Sequence, residues 1–245
     1  MDKHLILSVG MPRAGSGWYY NLTQDLVIAC GGEDARSVRT RYRLNRLLTE
    51  VNCNLGTLSA YRLLPAVLPL AFENSYVIKL HAERRPLADQ FIRAGIIKPT
   101  YIYRDPRDAL LSAYEYGQRM SSQGLTNAFS HLNTIDDAIE FMDFYVRLAA
   151  GWLSSPQTLK VKYEDLKGNY DHEVERLCDY LGIDPTDERV VPVIAQYRPG
   201  KPAQKQKGLH FVKGKVGRHQ EAFSAEQLEK CNRLFGDFLK GQGYE

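Results

Sequence analysis

The chain has 245 residues, of which 44% are hydrophobic and 25% charged, and its formal net charge is +3. These values are ordinary for a soluble globular protein, and the length suffices for one substantial core or two small domains. The net charge is too small to predict a nucleic-acid partner by itself, so the distribution of basic residues matters more than their sum.

The cysteines and the apolar segments predict a reducing, aqueous compartment. Four cysteines are scattered along the chain without C-x-x-C pairs or metal-ligand spacing, so we expect free thiols. Leu5–Met11 is too short for the apolar region of a secretory signal, and Leu63–Phe72 covers about half a membrane span and includes two prolines. The sequence therefore predicts a cytoplasmic protein without a membrane span.

The first predicted element is a buried strand, LILSVG (Leu5–Gly10), which runs into a glycine-rich turn and a helix. Gly10 and Gly15 have the G-x-x-x-x-G spacing of a nucleotide-phosphate loop. Ser16 and Gly17 stand where that loop carries Lys and then Ser or Thr. The turn therefore predicts a phosphate site that works without the usual lysine.

The side chains of this turn suit an anion. Small residues let backbone N–H groups converge, and the N-terminus of the following helix adds partial positive charge. Arg13 supplies a cation inside the loop and Ser16 a hydroxyl, while Trp18 offers a flat apolar surface for stacking on a base. The alternative is a tight strand-to-helix turn with a core tryptophan.

The long segment before the second strand, residues 31–72, is predicted to be helical without a strong apolar face. Its basic side chains form a cluster that we interpret as a solvated helix face. Docking of an anionic acceptor is the alternative for this cluster, which consists of Arg36, Arg39, Arg41, Arg43 and Arg46.

The second predicted strand is SYVIKLH (Ser75–His81). Strand alternation puts Lys79 and His81 on the same side, near the carboxyl end of the strand. An imidazole can take the proton of a hydroxyl, and an ammonium group can neutralise charge on a leaving oxygen. The pair therefore fits transfer of a charged group, although an isolated K-x-H is more often structural.

The third predicted strand, PTYIYR (Pro99–Arg104), leads into the turn R-D-P-R-D and a helix. Arg104 at the strand end and Ser112 about two turns into the helix can grip one phosphate from two sides, since arginine offers bidentate geometry. A solvated turn is the alternative for this motif taken alone.

The remaining elements complete an alternating pattern. Apolar spacing predicts helices over residues 139–153 and 174–181, the second ended by Gly182, and TLKVKYE (Thr158–Glu164) predicts a strand between them. A last helix is predicted from Ser224, where Ser-x-x-Gln forms a capping box. The alternation predicts a single P-loop-like α/β domain with a mainly parallel central sheet flanked by helices, and with ligands at the carboxyl ends of its strands.

A basic stretch precedes the last helix. Arg198–Arg218 holds seven Lys or Arg and no Asp or Glu. We predict that residues 198–220 form a lid loop over a bound nucleotide, because long loops without secondary structure are often functional. A solvated flexible loop and a nucleic-acid surface are the alternatives.

Several motifs occur in the order and approximate spacing of the PAPS-dependent sulfotransferases. They run in pieces over most of the chain and read PRAGSGW, KLH, RDPRDALLS, KYEDLKGNYDHEVERLCDYLGI and FVKGKVG. The sequence resembles this family, in particular a short, bacterial-type member of its soluble, cytosolic-type branch. The resemblance implies one sulfotransferase domain over residues 1–245, with residues 31–72 as a helical insertion on the acceptor side.

The resemblance also implies cofactor contacts for the matching residues. The 5′-phosphosulfate of PAPS would be held by the loop after the first strand, in which Arg replaces the family's Lys: Arg13, Ala14, Gly15, Ser16 and Gly17. Arg104 and Ser112 would bind the 3′-phosphate. Trp18 would stack on the adenine, and Tyr163 would lie close to the cofactor.

The late basic motif departs from the family's R-K-G-x-x-G. Here it reads V-K-G-K-V-G, so its first arginine is absent. Lys213 or Lys215 would then bind more of the 3′-phosphate, and Gly214 would permit close backbone approach to it.

The implied function is in-line transfer of a sulfuryl group from PAPS to a small-molecule hydroxyl acceptor, with release of PAP. His81 would be the general base, with Glu83 as a second candidate. Lys79 and Arg13 would stabilise charge on the leaving phosphate. This transfer moves less negative charge than γ-phosphoryl transfer, so no metal is expected.

Two other functions stay open from the residues alone. A P-loop kinase for a small metabolite predicts Mg²⁺ dependence and a G-K-[ST] sequence, which is absent. A non-catalytic nucleotide- or nucleic-acid-binding protein explains the basic clusters but gives Lys79 and His81 no role, and we expect no nucleic-acid partner. The acceptor and the oligomeric state are not predicted. The aromatic residues that could line an acceptor pocket equally suit core packing: Tyr114, Tyr116, Phe129, Phe141 and Tyr145.

Overall fold

Four parallel strands form the centre of the protein, for which the computed structural model describes residues 3–200 and 216–244. Their order across the sheet is β2–β1–β3–β4, and all neighbours pair in parallel. The strands are β1 (Leu5–Gly10), β2 (Tyr76–Leu80), β3 (Ile97–Tyr103) and β4 (Leu159–Lys162). The predicted α/β fold with a parallel sheet flanked by helices is confirmed.

Helices connect the strands and cover both faces of the sheet. They are α1 (Ser16–Ala29), α2 (Ala35–Arg41), α3 (Ala60–Val67), α4 (Pro86–Arg93), α5 (Pro106–Ser122), α6 (Ile135–Leu153), α7 (Tyr163–Gly168), α8 (Tyr170–Leu181), α9 (Val191–Tyr197), α10 (His219–Ala222) and α11 (Ala225–Gly241). Short 3₁₀ turns at Leu44–Arg46 and Leu68–Ala71 follow α2 and α3. Two predicted helix ends are confirmed. Gly182 caps α8 in the left-handed conformation, and the Ser224 side chain accepts a hydrogen bond from the N–H of Gln227 at the start of α11.

Alternation along β1 divides the core between the two faces of the sheet. Leu5, Leu7 and Val9 belong to one hydrophobic cluster, which includes residues of α3, α4 and the end of α6. Ile6 belongs to the opposite cluster, with residues of α1 and α8, and a third cluster lies among α5, α6 and α11. Because β1 is central and buried on both faces, the residues that follow it stand on a rigid platform.

The carboxyl ends of the four strands meet at one edge of the sheet. Gly10 ends β1, His81 follows β2, Arg104 follows β3 and Tyr163 follows β4. This is the edge at which parallel α/β sheets bind their ligands. The topology therefore gathers residues from four distant parts of the sequence into one place.

Strands β3 and β4 end earlier than the sequence pattern predicts. β3 ends before Arg104, because the Asp105 side chain caps α5 and Pro106 occupies the first helical position, where no N–H is needed. β4 ends before Tyr163, which is the first residue of α7 rather than a strand residue. Acidic residues in the first turn of α7, among them Glu164, favour a helix start there.

Residues 31–72 contain α2, α3 and both 3₁₀ turns, so this segment is helical in part. α3 packs one face on the core and carries apolar side chains on its exposed face as well, which fits the lack of a strong apolar face in the sequence pattern. Leu63 and Ala66 are fully buried, whereas Tyr61 and Leu64 are exposed. Pro65 lies inside α3 and obscures the helical repeat in the sequence.

The predicted lid loop lies largely outside the described residues, since residues 201–215 fall in the gap. In its described part, His219–Ala222 forms α10, so the end of the predicted loop is helical. In the two described ranges, no helix is long and apolar enough to cross a membrane.

Candidate functional site

The turn after β1 brings the backbone of the chain close to Tyr163. Gly15 has a φ of +79°, and a Cβ placed on it would lie 2.6 Å from Cδ2 of Tyr163. Only glycine fits here, because the left-handed backbone and the neighbouring ring both exclude a side chain. Ser16 begins α1, so the unpaired first N–H groups of that helix lie at the carboxyl edge of the sheet. The predicted phosphate loop therefore has the form of an anion cradle.

Arg13 connects this turn to α5. Its Nε donates a hydrogen bond to Oγ of Ser112 at 3.3 Å. Its guanidinium lies 4.6 Å from the centre of the Tyr116 ring, within the range of a cation–π contact. Burial lowers the pKa of Arg13 to about 10, and the neighbouring guanidinium groups add to this lowering. The structure thus brings together two residues that were predicted to bind different phosphates.

Lys79 lies on β2, paired in register with Ser8 of β1. Only 7% of this lysine is exposed. Burial lowers its pKa to about 8, and the positive charge of Arg13 contributes to the shift. The charge of the ammonium group therefore raises the free energy of the folded protein unless an anion lies beside it.

His81 follows β2 and is oriented by β1. Its Nδ1 lies 2.5 Å from the carbonyl oxygen of Gly10. Because a carbonyl oxygen only accepts hydrogen bonds, the proton of the neutral ring is at Nδ1 and the lone pair at Nε2. Burial lowers the pKa of His81 to about 3, with a further contribution from Lys79. The imidazole is therefore neutral at ordinary pH and can accept a proton at Nε2.

Positive charge is concentrated at this edge of the sheet. The pKa values of Arg13, Lys79 and His81 are all lowered by burial and by neighbouring cations. Like charges held together away from water raise the free energy of the folded protein. An anion bound among them would remove that cost. The electrostatics therefore favour an anionic ligand at the carboxyl ends of β1 and β2.

Arg104 lies at the end of β3 and is only 6% exposed. Its guanidinium is 4.7 Å from the centre of the Tyr163 ring. The same Tyr163 ring leaves no room for a side chain at Gly15. The predicted 5′ and 3′ sides of the donor site therefore share one aromatic side chain.

Asp108 is a residue of this site that the sequence analysis did not single out. Its carboxylate accepts hydrogen bonds from Nη2 of Arg104 at 3.2 Å and from the backbone N–H groups of Gly217 at 2.7 Å and His219 at 3.2 Å. Although burial alone raises the pKa of Asp108, its hydrogen bonds and the charge of Arg104 lower it to about 2. The signal in the sequence was the second Asp of R-D-P-R-D, four residues after Arg104 on a helix start.

Trp18 lies in the first turn of α1 and is 6% exposed. Its ring lies nearly parallel to that of Tyr170, with centres 6.2 Å apart and an interplanar angle of 14°. Its Nε1 donates a hydrogen bond to the carbonyl oxygen of Tyr197 at 3.0 Å. These contacts fit the core-tryptophan alternative, and stacking on adenine stays a prediction.

Other predicted residues stand apart from this cluster. Glu83 pairs with Arg85 at 2.5 Å, and its side chain is 57% exposed, so it points into solvent rather than toward Lys79. Residues 213–215 of the late basic motif lie outside the described residues. Within residues 3–200 and 216–244, no three His, Cys, Asp or Glu side chains are grouped so that they could hold a metal ion.

The aromatic residues considered for an acceptor pocket pack against one another. The ring centres of Phe141 lie 5.7 Å from Phe129 and 5.0 Å from Tyr145. All three pack on the hydrophobic cluster among α5, α6 and α11. Core packing therefore accounts for their spacing in the sequence.

One domain family and several named proteins match this chain. The family model of the sulfotransferase domain matches residues 2–243. The chain belongs to the sulfotransferase family. Sulfotransferase 6B1 of Danio rerio is 24% identical in an alignment of 254 positions, gaps included, that covers 98% of this chain and 79% of that protein. Cytosolic sulfotransferase 17 of Arabidopsis thaliana is 24% identical in an alignment of 208 positions, gaps included, that covers 74% of this chain and 60% of that protein. The prediction of a sulfotransferase is confirmed, and neither alternative function is favoured.

Solved structures share the fold of this sulfotransferase. Mouse sulfotransferase SULT7A1, complexed with PAP, aligns with a TM-score of 0.61 and 16% identity over 98% of this chain and 85% of its own. Retinol dehydratase, in complex with androsterone and inactive cofactor PAP, aligns with a TM-score of 0.59 and 17% identity over 97% and 80%. At this level of identity the likeness concerns the fold.

Replacement of Lys79 by Met should separate activity from stability. Lys79→Met removes the ammonium group, so we expect sulfuryl transfer to fall about 100-fold or more. The pKa of Lys79 is lowered from 10.5 to about 8, so near neutral pH the folded protein carries a charge that costs less in the unfolded chain. In scanning calorimetry the ligand-free variant should therefore melt at or above the temperature of the wild type.

The stability difference should shrink as the pH rises above about 8, because folded Lys79 then loses its proton before the unfolded chain does. Lys160→Met, which replaces an exposed lysine on β4, is the matched control and should change neither quantity. A Lys79→Met variant that kept its activity would contradict the role in charge stabilisation.

Proposed function

We propose that this sulfotransferase uses PAPS as its donor and a small-molecule hydroxyl as its acceptor, with His81 as the general base. The observation that carries the proposal is a neutral imidazole, fixed by the Gly10 carbonyl at an edge where positive charge favours an anion. The PAP bound to the structural relatives supports the same donor here.

The two phosphate groups of the donor would be held by different elements. Backbone N–H groups at the start of α1, the Ser16 hydroxyl and the Arg13 guanidinium would hold the 5′ side. Arg104 and Ser112 would hold the 3′-phosphate, the first at the end of β3 and the second on α5. When bound, PAPS supplies a sulfuryl group that passes from its 5′-phosphate to an oxygen of the acceptor.

His81 would accept the proton that the acceptor hydroxyl loses. Its Nε2 carries the lone pair, since the proton on Nδ1 is donated to the Gly10 carbonyl. Lys79 and Arg13 would stabilise the negative charge that develops on the leaving phosphate. Lys79 lowers the pKa of His81. The negative charge on the leaving phosphate would offset this effect, so the imidazole would become a stronger base as it takes the proton.

The class of acceptor is supported by a structural relative. Retinol dehydratase is complexed with androsterone in one structure and with retinol in another. Both ligands are small apolar molecules that carry a hydroxyl group. They support a small-molecule hydroxyl acceptor for this enzyme without selecting one compound.

Calorimetric titration with PAP tests the donor. We expect micromolar binding in the absence of metal, and Arg104→Ala should weaken it by roughly tenfold or more because a buried contact to the 3′-phosphate is lost. Arg85→Ala, which removes an arginine with a 55% exposed side chain, is the control and should bind PAP as the wild type does. A preference for ADP with Mg²⁺ over PAP would contradict the proposal and favour a kinase.

A further inference from the structure

One face of the α3 region is apolar and exposed. Four exposed apolar residues, separated by three, four and four positions, follow one another along α3 and the 3₁₀ turn after it. They are Tyr61, Leu64, Leu68 and Phe72, with exposed fractions of 76%, 50%, 62% and 74%. We call these four residues the apolar stripe. Large apolar side chains that are exposed together mark a contact surface.

The segment packed beside the apolar stripe is rich in arginine. Residues 35–49, the arginine segment, contain five arginines and no Asp or Glu. Arg39 is used internally, because its Nε donates a hydrogen bond to the carbonyl oxygen of Leu48 at 2.8 Å. Arg41, Arg43 and Arg46 are exposed. Arg41 pairs with Glu33 and Glu73, so Arg43 and Arg46 supply most of the exposed basic charge next to the stripe.

Two contacts fix the arginine segment along the stripe. Near the first stripe residue, Nη1 of Arg62 donates a hydrogen bond to the carbonyl oxygen of Leu47 at 3.1 Å. Directly after the last stripe residue, Oε1 of Glu73 lies 2.5 Å from Nη1 of Arg41. The arginine segment therefore lies beside the apolar stripe at both of its ends.

An open recess of about 520 Å³ lies within the arginine segment and is lined by Arg36, Ser37, Thr40 and Arg41. The Ser37 hydroxyl donates a hydrogen bond to Asp34, and the Thr40 hydroxyl donates one to the carbonyl oxygen of Arg36. The guanidinium groups are therefore the donors in this recess that suit phosphate oxygens. Basic donors beside an exposed apolar face match the phosphate headgroups and the upper acyl chains of an anionic bilayer. We propose that the apolar stripe and the arginine segment dock this protein on an anionic lipid surface.

The charge of this surface disfavours a second copy of the chain as its occupant. A symmetric dimer through the apolar stripe would bring two arginine segments together, and like charges would repel. A soluble anion would occupy the recess but leave the four apolar side chains in water. An anionic bilayer complements both parts at once.

Sedimentation with phospholipid vesicles tests the proposal on the full chain. We expect the wild type to sediment with phosphatidylcholine vesicles that contain one-third phosphatidylglycerol, and to stay in solution with pure phosphatidylcholine. High salt should release most of the bound protein, because exposed charges are screened.

Substitutions should weaken vesicle binding in two separate ways. Phe72→Ser should lower the partition coefficient about tenfold, because a large side chain no longer enters the acyl region. Arg43→Gln and Arg46→Gln should each lower it about fivefold. Phe144→Ser, which removes a 55% exposed aromatic side chain from α6, is the matched control and should bind like the wild type.

Three results would overturn the proposal, provided that thermal melting shows each variant to be folded. The first is the absence of sedimentation with the anionic vesicles. The second is unchanged binding by the Phe72→Ser and arginine variants. The third is a wild-type dimer in light scattering that Phe72→Ser converts to a monomer, since a second copy of the chain would then cover the stripe.

Discussion

His81→Ala should lower the turnover number by a factor of about 10² to 10⁴ while leaving the affinity for PAP within about twofold. The variant loses the Nε2 lone pair that would take the acceptor proton. It keeps Lys79 and Arg13, so the charge that favours the anionic donor is preserved. Single-turnover measurements with PAPS and a hydroxyl acceptor, together with calorimetric titration with PAP, check both halves of this expectation.

Glu83→Gln is the matched control for the general base. Glu83 pairs with Arg85 and has a side chain that is 57% exposed, so its replacement should leave turnover within about twofold of the wild type. If His81→Ala turned over at nearly the wild-type rate, or if Glu83→Gln lost the activity instead, His81 would not be the base.

The pH dependence of kcat/KM should carry the signature of the same residues, because it reports the ionisation of the free enzyme. The pKa of His81 is lowered from 6.5 to about 3, so its base form persists and kcat/KM should not fall as the pH drops from about 8 to about 5. The pKa of Lys79 is lowered to about 8, so kcat/KM should fall as the pH rises above that value and the ammonium group loses its proton. An acid limb near 6.5 would contradict an imidazole that stays neutral in this pH range.

The residues at the strand ends could be predicted from the sequence because the topology of a parallel sheet decides where they go. Once three strands were assigned, Lys79, His81 and Arg104 had to meet at the carboxyl edge, whatever the lengths of the connections between them. Local chemistry sufficed for the turn as well, since Gly15 and Arg13 lie in an uninterrupted strand–turn–helix pattern. Short-range rules were enough for these positions.

Contacts between distant segments could not be predicted in this way. Arg13 and its partner Ser112 are 99 residues apart, and the Gly10 carbonyl that orients His81 lies 71 residues before it. No local periodicity encodes such pairs, because they depend on how helices pack on the finished sheet. The lowered pKa values follow from these contacts and from burial, so they were equally invisible in the sequence.

Asp108→Asn should weaken the binding of PAP about tenfold or more, while the affinity for AMP, which lacks the 3′-phosphate, should change by less than about twofold. Asp108 holds Nη2 of Arg104 and also accepts hydrogen bonds from the backbone N–H groups of Gly217 and His219. Its pKa of about 2 keeps the carboxylate ionised. In the proposed donor site, Asp108 would therefore position Arg104 for the 3′-phosphate. Calorimetric titration of the variant with both nucleotides measures the two affinities.

An asparagine cannot replace this carboxylate. Its single acceptor oxygen cannot serve every donor, and its NH₂ group would face an N–H group of Arg104, Gly217 or His219. A buried donor left without its acceptor costs about 1 to 3 kcal/mol of stability. The loss of affinity should be confined to contacts with the 3′-phosphate. The turn that carries Arg13 is held by a contact to Ser112 rather than to Asp108, so binding of the 5′ side should be unaffected.

Asp105→Asn is the matched control from the same turn, since Asp105 pairs with Arg107 at 2.9 Å instead of with Arg104. It should lower stability without changing the ratio of the PAP and AMP affinities. If Asp108→Asn weakened the binding of PAP and of AMP equally, Asp108 would be a structural residue only. If the wild type itself bound PAP no more tightly than AMP, the assignment of Arg104 to the 3′-phosphate would fail, whatever the variant did. In that case the proposed donor would be wrong, and the result would not bear on the role of Asp108.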